Sequence, residues 1–382
     1  MLRLLIIAGL FPLLGAGVQA QEQERPFVKG GMGDKPFITR AGRTSIGGYA
    51  EVHFRYERED GVAEELSFVP ERFNLFTYTP VSERVRVASE LEFEEGGEEI
   101  KIEIAAIDFE IHPALTFRGG ILLSPLGRFN LAHDSPANDL TDRPLVSTEL
   151  LGTTLSEAGM GFYGAFFPTA RSRLTYEFYG VNGLGEGVLI GDPAGVRVQA
   201  GRGNFEDQNR QPSWVGRIGL SPFPAFELGV SGHTGPYNIW EADGLPIDQR
   251  RDLTLWAVDW EGSWRRCELL GEYGRVELEI PPGNPLYAES QQGFYLQLNA
   301  HWGRHLLPAL PAAVWTGVMR WERVDFNADR PGDSQRRLTL GINLRPEEQT
   351  VFKLDYQRNW ARDPFENQSR GAALLFSAAT YF

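Results

Sequence analysis

The sequence contains a single cysteine, Cys267, among its 382 residues, so no disulfide can form within one chain. Beyond residue 20 it lacks any apolar run near the roughly 20 residues that a membrane-spanning helix needs, which argues against an inner-membrane protein. Basic residues are in the minority, with 37 lysines and arginines against 51 acidic residues and a formal net charge of −14. This charge argues against nucleic acid as a partner.

The first 20 residues have the pattern of a secretion signal. Arg3 supplies the positive start, an apolar run covers 4–14, and Val18 and Ala20 are the small residues of a cleavage site. The run is too short for a transmembrane anchor, which needs about 20 apolar residues. We therefore predict a cleaved signal peptide over 1–20 and export from the cytoplasm.

The remaining chain is built from segments in which apolar and polar residues alternate. In one of them every second residue is apolar: Leu338, Leu340, Ile342 and Leu344. An alternation of period two is typical of a β-strand with two different faces. The segments are closer to the roughly 9–11 residues of a tilted membrane strand than to the ~5–6 of a soluble sandwich. The sequence therefore predicts an all-β fold, a transmembrane antiparallel β-barrel of about 16 strands.

The predicted barrel covers 46–382. Its strands are expected at 46–57, 71–80, 84–94, 98–111, 115–124, 158–168, 172–182, 213–221, 226–234, 251–262, 265–280, 291–302, 312–325, 335–345, 350–361 and 370–382. Short connections alternate with long ones, which is typical of outer-membrane barrels with periplasmic turns and external loops. The polar segment 21–45 is periplasmic or lumenal in this prediction: a disordered leader, an added edge segment or a piece inside the lumen.

Two local patterns refine this picture. Apolar residues change phase between Ile104 and Ile107, and we predict a β-bulge at Ala105–Ala106 because a one-residue slip would otherwise reverse every later side chain. Aromatic residues recur near strand ends. Examples are Trp256, Trp260, Trp315, Trp321, Tyr356 and Trp360. They are expected to form the interfacial aromatic girdle, with stacking on sugar rings as the alternative.

The longest connection, 124–158, is the candidate functional segment. It is rich in Pro, Asn and Asp, which hold fixed turns, and loops of this length without a function are uncommon. Folded into the lumen of a ~16-stranded barrel, it would narrow an aqueous channel. The predicted constriction residues are Arg128, His133, Asp134, Asp139, Asp142, Arg143 and Glu149. Opposed arginines and carboxylates there would create a transverse field that favours polar solutes. The alternative is a loop lying over the outer mouth, its charges solvated.

Charged residues also follow the inward phase of the predicted strands. Those assigned to the lumen are Arg84, Arg86, Glu90, Glu92, Glu103, Arg337, Arg345, Lys353 and Asp355. The set mixes both signs, so it does not define a selectivity. The acidic run Glu90, Glu92, Glu94, Glu95, Glu98 and Glu99 could bind a divalent cation, but its spacing is not that of an EF-hand and a solvated outer loop is favoured.

No catalytic or metal-binding motif is present. The six histidines stand in no nucleophile motif, there is no Gly-x-Ser-x-Gly run and no His-Glu-x-x-His spacing. His301 and His305 are four residues apart, but in a strand and turn instead of on one helix face. We predict no enzyme activity, no cofactor and no metal.

The segment 118–130, Arg-Gly-Gly-Ile-Leu-Leu-Ser-Pro-Leu-Gly-Arg-Phe-Asn, resembles the strand-into-loop region of the phosphate-selective porin O/P family. The resemblance extends loosely over 46–382 and implies a sixteen-stranded, trimeric outer-membrane porin. The family's lysine clusters are missing, because the chain has only Lys29, Lys35, Lys101 and Lys353. Phosphate selectivity is therefore not carried over.

These observations together predict a passive outer-membrane porin for small hydrophilic solutes or ions. Its expected partners are outer-membrane lipid, the solutes and copies of itself in a homo-trimer. The alternatives are a plugged or structural barrel, an adhesin, or an outer-membrane hydrolase.

Overall fold

The computed structural model describes residues 39–190, 195–207, 209–303 and 306–382. The predicted signal peptide 1–20 and the polar segment as far as residue 38 lie outside the described residues. Within these described ranges, no helix is long and apolar enough to cross a membrane.

Sixteen long strands form a closed sheet in the described part of the chain. They are β1 (Thr44–Glu59), β2 (Val62–Pro80), β3 (Val85–Glu94), β4 (Glu99–His112), β5 (Leu115–Leu123), β6 (Ser156–Thr169), β7 (Ser172–Val181), β8 (Ser213–Phe223), β9 (Phe226–Pro236), β10 (Asp252–Trp264), β11 (Cys267–Leu278), β12 (Ser290–Trp302), β13 (Val314–Asp325), β14 (Ser334–Glu347), β15 (Thr350–Arg362) and β16 (Gln368–Tyr381). Neighbouring strands pair antiparallel, and β16 pairs with β1 to close the barrel. The predicted fold class is confirmed.

Short strands accompany the barrel at two places. Thr39–Ala41 pairs with the start of β1, so the end of the predicted segment 21–45 is an added edge strand. Glu241–Ala242 and Leu245–Pro246 form a small hairpin of their own in the connection after β9.

The side chains of the barrel strands alternate between an exposed apolar face and a buried polar face. On β15, Phe352 and Leu354 are 40% and 45% exposed, whereas Lys353 and Asp355 are each 1% exposed. Exposed apolar side chains in this number would be unfavourable in water. This arrangement is that of a barrel with an apolar outer belt and a polar interior.

The first hairpin is longer than the sequence indicated. The predicted strands 46–57 and 71–80 leave 58–70 as a connection, but β1 continues to Glu59 and β2 begins at Val62, leaving the two-residue turn Asp60–Gly61. Both turn residues have positive φ, 46° and 88°, as a type I′ turn requires. The residues on both sides of this Asp-Gly pair are mostly charged. They therefore lack the alternation of apolar and polar residues by which the other strands were predicted.

The bulge in β4 lies two residues earlier than predicted. Glu90 pairs with Ile104 and Leu91 pairs with Ile102, so Glu103 is the extra residue, and the prediction of Ala105–Ala106 is wrong. Glu103 and Ile104 are both buried. Ile104 packs in an interior apolar cluster with Tyr49 and Phe76, so its apolar character did not mark an outward position.

A large apolar cluster lies on the inner face of β10 to β13. The wall contributes Leu253, Leu255, Ala257, Val276, Leu278, Tyr295 and Val324. The connections contribute Leu126, Leu145, Val146, Leu150, Leu151 and Leu155, and also Leu184, Val188, Val196 and Val198. Gly274 and Gly293 leave the space that Val146 occupies: an added Cβ on either would lie 3.2 and 3.3 Å from that side chain. This side of the barrel interior is packed as a core.

Candidate functional site

The connection between β5 and β6, residues 124–155, is closed at its base by Asn130. The Asn130 amide donates to the carbonyl oxygens of Ser124 and Leu155 at 2.8 and 3.1 Å, and its own oxygen accepts from the Leu155 N–H at 2.8 Å. The two ends of the segment are therefore tied together, and the chain between them forms a shaped loop.

The first turn of this loop is fixed to β9, β10 and β11. The N–H of Gly127 donates to Ser231, and the N–H groups of Arg128 and Phe129 donate to the Glu272 carboxylate at 2.8 and 3.1 Å. The Arg128 guanidinium donates to Glu261 at 2.8 Å. Burial lowers the pKa of Arg128, but the carboxylates of Glu261 and Asp259 outweigh it and raise the pKa overall. Arg128 is thus held as one half of an ion pair.

Asp142, in the middle of the loop, is bound to β1, β14 and β15. Its carboxylate accepts from Arg55 at 2.8 Å, from Arg337 at 3.2 Å and from Gln357 at 2.8 Å. Burial raises the pKa of Asp142, but the guanidinium groups of Arg55 and Arg337 dominate and hold it well below its usual range. Asp142 is therefore ionised at any physiological pH.

A second set of contacts lies beside it on β12, β14 and β15. Asp139 accepts from Asn299 at 2.7 Å and from Arg345 at 3.0 Å. Lys353 donates to the carbonyl oxygens of Ser135 and Leu140 at 2.9 and 3.2 Å. The Asp355 carboxylate accepts from the Thr141 N–H, and Thr141 also contacts Ser377 of β16, with 2.9 Å between their hydroxyl oxygens.

Further contacts tie the loop to β4, β1 and β16. His133 lies 3.3 Å from the Glu103 carboxylate and 2.9 Å from the Asn130 carbonyl. Ser135 donates to Glu51, and Tyr381 donates to Asp134 at 3.1 Å. Glu149 accepts from Gln199 of the connection after β7, at 3.2 Å.

Arg143 is the exception among the charged loop residues. It is half-buried, and its Nε and one terminal nitrogen have no hydrogen-bond partner among the described residues. It acts electrostatically on Glu92 and Glu94 of β3 without a direct bond to either. Arg202, in the connection after β7, donates to the carbonyl oxygen of Gly152. Arg143 and these two carboxylates therefore face each other in a closely packed region, where Glu92 is 1% exposed.

The structure places most of the predicted lumenal charges on the inward face, and one elsewhere. Glu90, Glu92, Glu103, Lys353 and Asp355 are buried on that face. Arg86 faces inward and pairs with Glu110, and Arg337 and Arg345 reach the loop. Arg84 lies in the exposed turn before β3, because that strand begins one residue later than predicted.

The acidic run of β3 and β4 divides into an inward-facing part and an exposed part at the connection between the two strands. Glu90 accepts from Asn74, and Glu92 and Glu94 both pair with Arg72 on the inward face. Glu98 and Glu99 are exposed at the loop end, as a solvated loop requires. Within the described residues no group of three or more His, Cys, Asp or Glu is arranged to hold a metal ion.

Sequence reasoning missed the wall residues that hold the loop. Arg55, Gln357 and Glu322 are inward-facing, and Glu322 accepts from the Leu145 N–H at 2.8 Å. Strand phase would have assigned them to the interior, but only the folded register brings them to Asp142 and Leu145. A recess of about 410 Å³ lies over Asp142, whereas the cavity around residues 129–144 is only about 20 Å³.

The chain matches no family model. It is 26% identical over 360 residues to an uncharacterised protein of Aquifex aeolicus strain VF5, covering 87% of this chain and 79% of that one. Among solved structures it is similar to an anion-selective porin from Comamonas acidovorans, with a TM-score of 0.60, 10% identity, and coverage of 89% and 99% of the two chains.

Two further solved structures have the same architecture. They are the outer-membrane channel DcaP of Acinetobacter baumannii, with a TM-score of 0.58, 11% identity and coverage of 89% and 97%, and OprB of Pseudomonas putida, with a TM-score of 0.57, 8% identity and coverage of 89% and 94%. At these identities the similarity shows the fold, which is that of sixteen-stranded outer-membrane porins. The resemblance to the phosphate-selective O/P family stays a prediction.

Proposed function

We propose that this chain is an outer-membrane porin that passively conducts small hydrophilic solutes or ions, with residues 124–155 folded into the lumen as its constriction. Contacts at the start and in the middle of the loop carry the proposal. Arg128 is held by Glu261 of β10, whereas Asp142 is held by Arg55 of β1 and Arg337 of β14. A loop bound to inward-facing side chains of such separate strands extends across the barrel.

In this proposal solutes pass between Arg143 on the loop and Glu92 and Glu94 on β3, which are closely packed in the present state and separate into a narrow gap on opening. Charges of opposite sign on the two sides of a narrow wet gap produce a transverse field. Such a field favours solutes that carry charges or strong dipoles over apolar ones. Arg128 contributes to the position of the loop, because its guanidinium is occupied by Glu261.

A plugged barrel is the second candidate, and the packing of the interior favours it. Inward-facing residues at mid-height are almost completely buried: Glu272, Glu322, Thr339 and Ser377 are each 0% exposed. The cavity of about 20 Å³ in the loop has room for roughly one water molecule. In the porin proposal this packed arrangement is a low-conductance state, and in the plugged-barrel proposal it is permanent.

Planar-bilayer recording of the purified protein in a salt gradient tests the proposal. Stepwise currents support the porin, and a correctly folded but silent barrel supports the plugged alternative. The Arg143→Glu variant should shift the reversal potential toward cations, because it makes both sides of the gap acidic. Arg275→Glu is the matched control, since Arg275 lies on the outer face of β11 beside Glu277. Equal reversal potentials for wild type and Arg143→Glu would place the conduction path elsewhere.

The orientation and assembly follow from the same proposal. The two-residue turns after β4, β6, β8, β10 and β14 would face the periplasm, and the long connections, including 124–155, would begin at the external surface. A homo-trimer is the assembly that we propose for the barrel in the outer membrane, where size-exclusion chromatography with light scattering would count the copies.

A further inference from the structure

A basic recess lies on the outer surface of the barrel, at the end where the long connections emerge. It spans β14, β15 and β16 and has a volume of about 190 Å³. Its charged lining is Arg336, Arg362 and Arg370, and its aromatic lining is Trp321 and Trp360. By strand phase all five point away from the interior, because Arg337, Gln357 and Ala373 of the opposite phase face inward.

The strand register brings the three arginines around one point. In the strand register, Arg336 lies opposite Trp360, and Trp360 lies opposite Arg370 on the next strand. Adjacent strands are ~4.8 Å apart, so the backbones of Arg336 and Arg370 are separated by roughly 10 Å. Arg362 lies two residues farther along β15, roughly 7 Å away. Side chains of this length can converge on one phosphate-sized group above Trp360.

None of these three arginines is held by a salt bridge within the described part of the chain, although Arg336 interacts electrostatically with Asp325 on β13. Among the described residues, no ion pair involves Arg336, Arg362 or Arg370, although other arginines on the outer face are paired. Arg323 pairs with Asp325 at 3.1 Å, and Arg275 pairs with Glu277 at 3.0 Å. Three like charges around one recess repel one another, and an anion between them offsets the repulsion.

The aromatic side chains indicate the height of the recess along the barrel axis relative to the apolar belt. Farther from the loops, the same outer face carries Leu340, Ile342 and Leu354, which are 48%, 40% and 45% exposed. Trp321 and Trp360 lie next along the barrel toward the long connections, with ring centroids 6.1 Å apart. The three arginines lie level with these tryptophans or closer to the connections. Tryptophans in this position mark the boundary between hydrocarbon and headgroups. The guanidinium groups therefore lie at the height of the headgroup phosphates.

We propose that this recess binds the phosphate group of an anionic lipid of the outer leaflet. Guanidinium groups bind phosphate through paired, charge-assisted hydrogen bonds, and Arg suits this role better than Lys. The inference rests on the membrane location in the proposed function, and it does not require that the barrel conducts. A lipid phosphate is favoured over a free one because the recess opens sideways toward the bilayer, next to the apolar belt.

Native mass spectrometry of the detergent-solubilised full protein tests this site. The probes are a bisphosphorylated glucosamine lipid and the same lipid without its phosphates, each offered to wild type and to Arg336→Gln/Arg362→Gln/Arg370→Gln. Arg275→Gln is the control, and heat-modifiable gel migration shows that each variant is folded. Wild type should retain the phosphorylated lipid about tenfold better than its dephosphorylated form, which corresponds to a tenfold ratio of dissociation constants.

The triple variant should retain both lipids equally, and Arg275→Gln should behave as wild type. Equal retention of the two lipids by wild type, or an unchanged preference in the triple variant, would overturn the proposal. Complete displacement of the lipid by millimolar inorganic phosphate would also overturn it, because the recess would then be a site for the free ion. A barrel that retains lipid but passes no current would refute the porin function alone.

Discussion

Asp142 provides the sharpest test of the position of the loop. The substitution Asp142→Asn keeps the size of the side chain but removes the charge shared by Arg55 and Arg337. Hydrogen bonds to charged groups contribute about 1.5–3 kcal/mol each, and an amide can keep part of this interaction. The three side chains are 12–20% exposed, so solvent screens them only partly. We expect the bound loop to be destabilised by about 2–4 kcal/mol.

A change of this size alters the equilibrium between bound and released loop by roughly 30- to 1000-fold. Single-channel recording should therefore show Asp142→Asn with larger or more frequent openings than wild type. Asp363→Asn is the control, because the hydrogen bonds of the Asp363 carboxylate, among the described residues, go only to Phe365 and Asn367 of its own short connection. Identical conductance and open probability in wild type and Asp142→Asn would refute the assignment of Asp142 as a contact that closes the lumen.

The pKa of Asp142 adds a dependence on pH. Because its folded-state pKa is lowered, the stabilisation is fully present above the unfolded value near ~3.9 and is lost only as pH falls through the lower folded pKa. The contacts of Asp142 with Arg55 and Arg337 should therefore persist between pH 7 and pH 5. Openings that increase over this interval in wild type, but not in Asp142→Asn, would contradict the argument.

Three further predictions follow from single contacts. Gly127→Ala should lower the free energy of unfolding of the barrel by about 1–3 kcal/mol, because a Cβ at φ 71° would lie 2.6 Å from the Glu272 carboxylate. A denaturant-refolding assay measures this, and an unchanged unfolding midpoint would contradict it. Leu354→Arg should make the free energy of folding into vesicles less favourable by about 2–4 kcal/mol, because it places a charge in the apolar belt. Leu354→Phe should leave this free energy unchanged. Arg143→Gln should move the reversal potential in the same direction as Arg143→Glu, by a smaller amount.

The fold could be predicted from the sequence because strand alternation is a local property. Lys353 and Asp355 follow the polar phase of β15, and both are buried on the inward face as that phase requires. The alternation failed where both phases have the same chemistry. Ile104 is apolar and faces inward, and the charged residues around Asp60 disguise a continuous hairpin.

The candidate site could be predicted only in part, because its contacts join residues far apart in sequence. The length and composition of 124–158 marked the segment, but they did not distinguish Arg128, which is paired with Glu261, from Arg143, whose nitrogens are partly unpaired. The apolar wall of β10 was also missed. Leu253 and Leu255 face inward while Trp256 faces outward, so this strand is apolar on both faces.

A reversible disulfide between the loop and the wall tests the central claim most directly. The hydroxyl oxygens of Thr141 and Ser377 are 2.9 Å apart, so Thr141→Cys/Ser377→Cys in a Cys267→Ser background places two thiols in contact. We predict that the bond forms in native membranes and that combining it with Asp142→Asn keeps the current at the wild-type level until a reductant is added. Free thiols that react with a membrane-impermeant reagent, with no bond formed under oxidation, would show that residues 124–155 lie outside the lumen.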